Sequence, residues 1–498
     1  MGHVFVVPGD LIRFACDARL LPTDRLLTIT PAWRTPDVEA RVAALDPGLR
    51  RRFGAEEILA TPLPDGDGPR PVLTAVPFTG VGCGDDVRRP LTEGLTAAAR
   101  VAGPSRRAVP LIAMPLFGSS GGGGDPLRGE LIRIALDVGR EVASGHGVDV
   151  ALVLREPADL AQAQEYRRRD PGRWWPELDD RLRATLRTVA GYARRGLLVP
   201  FIGAGVSISA GLPTWADLLA TLARDRLPAG SEREFAALPV LDQAEILQGL
   251  HTDRAAFTTE IAKRTRADRY GLAPALLAGL PTGEAVTLNY DELYEMASAD
   301  AGRRTAVLPF DAADSGDRWL LKLHGSVSRP DSIVLTRRDY LGYRNGREAL
   351  SALAKALLLT RHLLFVGFGL SDDHFHEVMH DVRAVAGGHR RTLGTALVLE
   401  PSTLRDTLWR SDLDFVPVGG DDVAEQARRQ EIALDHLLAD TDRGLGHVLD
   451  PRFRDLLPDA ERRLADRLTA LASAMDADET ATATGDAVRE LLTRLGKR

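Results

Sequence analysis

Three kinds of residue along this 498-residue chain are placed to do chemistry. The first is glycine in short turns that close apolar runs. Leu197–Ile202 leads into Gly203-Ala204-Gly205-Val206-Ser207, and His362–Val366 leads into Gly367-Phe368-Gly369-Leu370-Ser371-Asp372. Such turns let the backbone approach a pyrophosphate closely and offer N–H groups to its oxygens. The second kind is a polar side chain at a strand end: Asn289 in Thr287-Leu288-Asn289-Tyr290-Asp291, and His324 in Leu323-His324-Gly325. An amide orients a hydroxyl or a water, and an imidazole with a reference pKa of about 6.5 takes a proton from either. Asp291 reads as an orienting carboxylate or as the cap of the next helix. The third is His376-Glu377-Val378-Met379-His380, which fits the His-Glu-x-x-His zinc pattern. That pattern is short, His374 points elsewhere on a helix, and no third ligand presents itself. It reads as a chance match on a solvated face, and no metal is expected. Each feature taken singly has a plain structural reading as well: a tight turn, a helix cap at Ser207, a satisfied structural histidine.

The elements that position these residues alternate between strand and helix. Residues 181–420 carry the helix Arg181–Arg195 and strands at Leu197–Ile202, Ala285–Asn289, Trp319–His324, Ile333–Leu335, His362–Val366, Thr395–Leu399 and Phe415–Val418. This is the pattern of a doubly wound, mostly parallel α/β sheet, whose ligands lie beyond the strand C-termini. Residues 215–280 have helical periodicity only and read as an inserted helical module. Before it, residues 1–165 form a smaller α/β domain, with strands expected at Val4–Val7, Leu26–Thr30, Val72–Pro77, Val109–Pro115 and Val148–Leu154 and helices at Leu91–Val101 and Leu127–Ala143. Residues 166–180, rich in charge and proline, read as a linker. Residues 421–498 read as a helical C-terminal region, with helices at Pro458–Met475 and Gly485–Leu495 and a loose connector at Ala470–Asp486.

Taken together and in order, four motifs resemble the sirtuins: Gly203-Ala204-Gly205-Val-Ser207 with Ala210-Gly211-Leu212-Pro213, then Thr287-Leu288-Asn289-Tyr290-Asp291, Leu323-His324-Gly325, and Gly367-Phe368-Gly369-Leu370-Ser371-Asp372. The resemblance implies a Rossmann-like NAD⁺ site over about 180–420. His324 and Asn289 would be its catalytic residues; Gly203, Ala204, Gly205, Ser207, Thr287, Asp291, Gly367, Gly369 and Ser371 would hold the dinucleotide. Two departures separate the chain from lysine-deacylating sirtuins. The Cys-x-x-Cys pairs for structural zinc are missing, the cysteines being Cys16 and Cys83 alone, and Thr214-Trp215-Ala216 stands where deacylases carry Phe-Arg. Both departures resemble the sirtuin-like NADases of bacterial anti-phage defence, so water is the expected acceptor, with nicotinamide and ADP-ribose as products.

In the first region, Gly9-Asp10-Leu11 follows the first strand, and Leu116-Phe117-Gly118-Ser119-Ser120-Gly121-Gly122-Gly-Gly124 joins a later strand to a helix. A strand, a glycine loop and a helix N-terminus make an anion site; a surface loop is the plain alternative. The set resembles a macro domain, which implies an ADP-ribose-like nucleotide held by Asp10, Gly118, Ser119, Gly121 and Gly122. One chain would then join a nucleotide sensor to an NAD⁺-cleaving module, as in the Thoeris defence effectors, although in a different domain order. The expected partners are NAD⁺, the nucleotide, further copies of the chain, and a defence partner or phage trigger. The formal charge of −7 argues against nucleic acid, and with neither a signal sequence nor a membrane-length apolar run, a cytoplasmic location is expected. Two rival readings stay open: an NAD⁺-dependent protein deacylase, and a catalytically silent nucleotide-sensing assembly protein.

Overall fold

The computed structural model describes residues 2–77, 80–103, 105–119, 122–224, 226–386 and 392–497. It divides into two compact units, Met1–Leu178 with Leu438–Arg498, and Asp179–Leu437.

The first unit is built on six strands: β1 (Val4–Pro8), β2 (Ala18–Thr23), β3 (Ala60–Pro62), β4 (Arg70–Ala75), β5 (Leu111–Met114) and β6 (Asp149–Leu154). They lie in the order β1-β6-β5-β2-β4-β3, parallel throughout except for β3 on β4. The amphipathic helices Asp85–Val101 and Arg128–His146 bury Leu91, Leu95, Leu131 and Ile132. One strand expectation fails: Leu26–Thr30 is not a strand. Leu27 adopts a positive φ of 62°, Leu26 is 81% exposed, and Ile29 forms only an isolated bridge to Thr23. The strand lies just before, at Ala18–Thr23, where Arg19 and Pro22 interrupt the apolar run that would have announced it.

Residues 157–174 continue as the helices Pro157–Arg168 and Pro171–Trp174, with Trp174 and Trp175 buried and the Arg167 guanidinium 4.7 Å over the Trp175 ring. The chain rejoins this unit at Leu438. There the helices Asp459–Ala474 and Ala483–Arg494 share a small core of Leu457, Ala465, Leu492 and Leu495. Between them, Ala477–Thr480 is a short helix closed by a capping box of Asp476 and Glu479 rather than a loose connector.

The second unit holds a seven-stranded sheet of β7 (Leu198–Ile202), β8 (Glu284–Thr287), β9 (Thr305–Leu308), β10 (Arg318–Lys322), β11 (His362–Val366), β12 (Gly394–Val398) and β13 (Leu413–Pro417), in the order β13-β12-β11-β7-β8-β10-β9. Every pairing is parallel. The chain leaves β7 for β8 on one side and later returns to β11 on the other. That topological switch opens a crevice at the strand C-termini. The insert between β7 and β8 is helical: Trp215–Arg224, Glu232–Ala237, Val240–Gly249, Arg254–Arg264 and Leu272–Gly279. It has its own core of Leu219, Leu222, Leu247, Phe257 and Ile261. Residues 333–335 do not pair as a strand; Val334 instead donates its N–H to the His324 carbonyl at 3.0 Å. β9, a four-residue edge strand with three half-buried positions, is too short to show in the sequence pattern.

Candidate active site

One row of register partners sets the site. Val366 pairs with Ile202, Ile202 with Thr287, and Thr287 with Lys322, across β11, β7, β8 and β10. Gly367 and Gly203 are the next residues on two of these strands, and Asn289 and His324 lie two past the row on the other two. Parallel strands about 4.8 Å apart therefore bring all four motifs to one edge.

The two glycine turns interlock. Gly203 and Gly205 donate their N–H groups to the carbonyls of Val366 and Gly367 at 2.9 and 3.0 Å. A Cβ on Gly203 would lie 2.3 Å from the Gly367 carbonyl oxygen, and one on Gly205 would lie 2.9 Å from the Gly367 Cα. Gly367 itself has a φ of 63°. Packing alone thus accounts for three of the glycines. Gly369 differs: its Cβ would meet only the Ser371 hydroxyl, at 3.6 Å, so its open side is free for a ligand. Leu370 beside it holds a φ of 55° while buried, a strained conformation for a branched residue. Ser371 is exposed.

Asn289 is fixed by its neighbours. Its Nδ2 donates to the Gly203 carbonyl at 3.0 Å and to Ser207 Oγ at 3.2 Å, while Ser207 donates to Asp291 at 2.8 Å. Both amide protons are used, so Oδ1 is left to accept from a hydroxyl or water. Thr287 Oγ1 bonds the Ile202 carbonyl at 2.8 Å and accepts from the Asn289 N–H at 3.0 Å, tying β7 to the turn. Below the loop, the fully buried Lys322 ammonium donates to the backbone carbonyls of Tyr290 and Asp291 and pairs with Glu295 at 2.8 Å. Burial pushes the Glu295 carboxyl up, against the pull of Lys322. The adjoining cleft is lined by Ala204, Ser207, Pro213, Trp215, Asn289 and Asp291 among others.

His324 is not among those lining residues. It is 3% exposed and sits in a cluster of Tyr340, Tyr343, Arg347, Asp372 and His374. Tyr343 and Arg347 donate to the Leu323 carbonyl at 2.9 and 3.2 Å, and Tyr340 donates to Asp372 at 2.6 Å. Arg347 stands where the helix Arg337–Thr360 breaks, with φ −135° and ψ 18°. Burial lowers the His324 pKa, with Asp372 opposing and Arg347 adding to the effect. Burial, then the neighbouring His324, lowers that of His374 to about 4. Burial and the Asp372 charge hold the Tyr340 hydroxyl well above the usual phenol range.

These neighbours were not foreseen. Asp372 and His374 were visible as polar residues just after the second glycine turn, and Lys322 as a lone charge in an apolar strand. Tyr340, Tyr343 and Arg347 arrive from a helix whose approach no local pattern encodes. The His376–His380 pair forms no metal-capable group among the described residues: His376 packs on Trp409 with ring centroids 5.0 Å apart, and His380 is exposed.

In the first unit, Asp10 closes its own turn by accepting from Ile12 and Arg13 N–H groups, and it pairs with Arg155. Gly118 (φ 75°) and Gly122 belong to a loop that folds back on residues 80–81, with Val81 donating to the Gly122 carbonyl at 2.7 Å. Ser119 is buried and bonds the Leu116 carbonyl. Gly121 lies outside the described residues.

A parallel sheet with interlocked glycine turns, an amide and an imidazole at its switch point places the second unit in the class of doubly wound α/β folds. Within that class, residues 283–413 match the SIR2-like domain family. The chain is 26% identical over 214 residues to Defense-associated sirtuin 2 of Bacillus subtilis, covering 41% of this chain and 21% of the relative. It is 29% identical over 210 residues to the NAD(+) hydrolase ThsA of Enterococcus faecium, covering 40% of this chain and 42% of the relative. The matches thus span less than half the length of either relative. Among solved structures, an Oceanobacillus iheyensis macrodomain with MES bound is similar at 19% identity and a TM-score of 0.22, over 32% of this chain and 87% of that one. Among the described residues no single helix is long and apolar enough to cross a membrane.

Proposed function

We propose that the second unit hydrolyses NAD⁺ to nicotinamide and ADP-ribose, as an anti-phage effector that depletes the dinucleotide when triggered. The observation that carries this reading is the register row that sets Asn289 and then His324 beside the two interlocked glycine turns. The similarity to relatives named NAD(+) hydrolase and Defense-associated sirtuin supports it.

The dinucleotide lies across the switch point, its phosphates toward the turns of Gly203, Ala204, Gly205, Gly367 and Gly369, with Ser207, Thr287 and Asp291 below and Ser371 toward the adenosine end. Asn289 Oδ1 accepts a hydrogen bond from the ribose or from the attacking water. His324, neutral at pH 7 because burial lowers its pKa, takes the proton the water loses as its oxygen bonds to the anomeric carbon. The bond to nicotinamide breaks and the pyridine leaves neutral. A cationic sugar transition state needs positioning and electrostatic support more than nucleophilic force.

His324 is enclosed and lies off the cleft wall, which supports a resting state that a signal must open. In the first unit, the edge formed by Asp10, Gly118, Ser119 and Gly122 is the proposed place for an ADP-ribose-like nucleotide. Displacement of Arg155 from Asp10 would accompany binding there. Incubation with NAD⁺, with and without candidate nucleotides, tests the reading. Nicotinamide and ADP-ribose in equal amounts are expected; release that depends on an acyl-lysine peptide would replace hydrolysis with deacylation, and no release under any trigger would leave only a silent assembly protein.

A further inference from the structure

A second imidazole stands behind the first. His324, Asp372 and His374 each present a ligand-capable atom, all within 4.8 Å of one another. Both histidines are buried, at 3% and 4% exposure. The His374 ring is held by a 2.8 Å hydrogen bond between Nε2 and the Ser351 hydroxyl, and its Nδ1 is buried with no partner. His324 Nε2 is likewise buried without a partner. Asp372 is oriented at both oxygens, by the Tyr340 hydroxyl and the Phe375 N–H. Buried polar atoms without partners are rare in native proteins, and two around one carboxylate ask for an occupant.

We propose that His324, Asp372 and His374 form a binding site for a zinc-class divalent cation, and that its occupancy inhibits the enzyme. Imidazole nitrogen with one carboxylate oxygen suits zinc and its neighbours, not magnesium or calcium. The Ser351 bond on Nε2 is the kind of outer contact that fixes the ring of a metal-bound histidine. Tetrahedral ligands lie about 3.3 Å apart around zinc, so the three side chains close by up to about 1.5 Å on binding, and water takes the fourth position. The nearby Arg347 guanidinium, held by the Leu323 and Ser332 carbonyls, opposes the cation and keeps binding reversible. A metal on His324 removes the lone pair that accepts the proton in the proposed hydrolysis; this inhibitory clause alone rests on that reading.

The test is titration of chelator-stripped full-length protein with Zn²⁺ and Co²⁺, followed by metal analysis and cobalt ligand-field absorption. About one equivalent is expected, with binding weakened at least tenfold in Asp372→Asn and His374→Ala and unchanged in His380→Ala. Should melting curves show that His374→Ala does not fold, Ser351→Ala is expected to weaken binding by about tenfold. No stoichiometric metal, or binding lost in His380→Ala and kept in Asp372→Asn, overturns the site. Metal bound through these residues without slowing nicotinamide release leaves the site standing and overturns the inhibitory role, and with it the role of His324 as base.

Discussion

His324 and Asn289 are neighbours by register but differ in surroundings. Asn289 faces a cleft and owes its orientation to Gly203 and Ser207, whereas His324 is enclosed by two tyrosines, an arginine and a second histidine. Its protonation is therefore set by burial first, then by Asp372, which favours the imidazolium, and by Arg347, which opposes it; His374, itself neutral, adds bulk rather than charge. A base must be neutral to act, so the acid limb of kcat/KM is expected below about pH 6.5, the reference value for histidine. Asp372→Asn removes the carboxylate that raises the His324 pKa and is expected to move that limb lower still. A pH–rate profile measured with chelator present checks both, and a limb moved upward would contradict the assignment.

At the scale of elements, the glycine turns are braces as well as proposed ligand contacts. Gly203→Ala places a methyl carbon 2.3 Å from the Gly367 carbonyl oxygen and is expected to cost about 1–3 kcal/mol of stability or more. Gly369→Ala meets nothing closer than 3.6 Å and is expected to leave the melting temperature unchanged while raising the KM for NAD⁺. Calorimetry and kinetics on the two variants separate brace from contact. The strand ends were legible because apolar runs stop at Gly203, Gly325 and Gly367, and their order along the chain placed Asn289 and His324 between glycine turns. The surroundings of His324 were not, since Tyr340 and Arg347 reach it from a helix that breaks at Arg347, and Asn345-Gly346 just before that position can mark a break without telling which residues the two halves carry to His324. The strand at Ala18–Thr23 was hidden for a related reason: Arg19 is buried within it, and its guanidinium reaches the Ile12 carbonyl.

At the scale of the whole molecule, the C-terminal segment completes the first unit instead of forming a body of its own. Arg452 pairs with Asp450 and Asp125, and His447 is buried near Arg168 and Arg169. Burial lowers the His447 pKa to about 4. The unfolded chain binds its proton near pH 6.5 and the folded chain only near 4, so this histidine lowers stability as pH falls through that window and has no effect above it. His447→Asn is expected to flatten the decline between pH 6.5 and 4, which melting curves across that range measure. The proposed reaction itself is open to direct measurement. The most direct measurement is the nicotinamide and ADP-ribose formed from NAD⁺ by the triggered full-length protein and by its His324→Ala and Asn289→Ala variants. Equimolar products, reduced at least about a hundredfold in folded His324→Ala, are expected for a general base at the reacting centre; turnover unchanged in that variant would contradict the account.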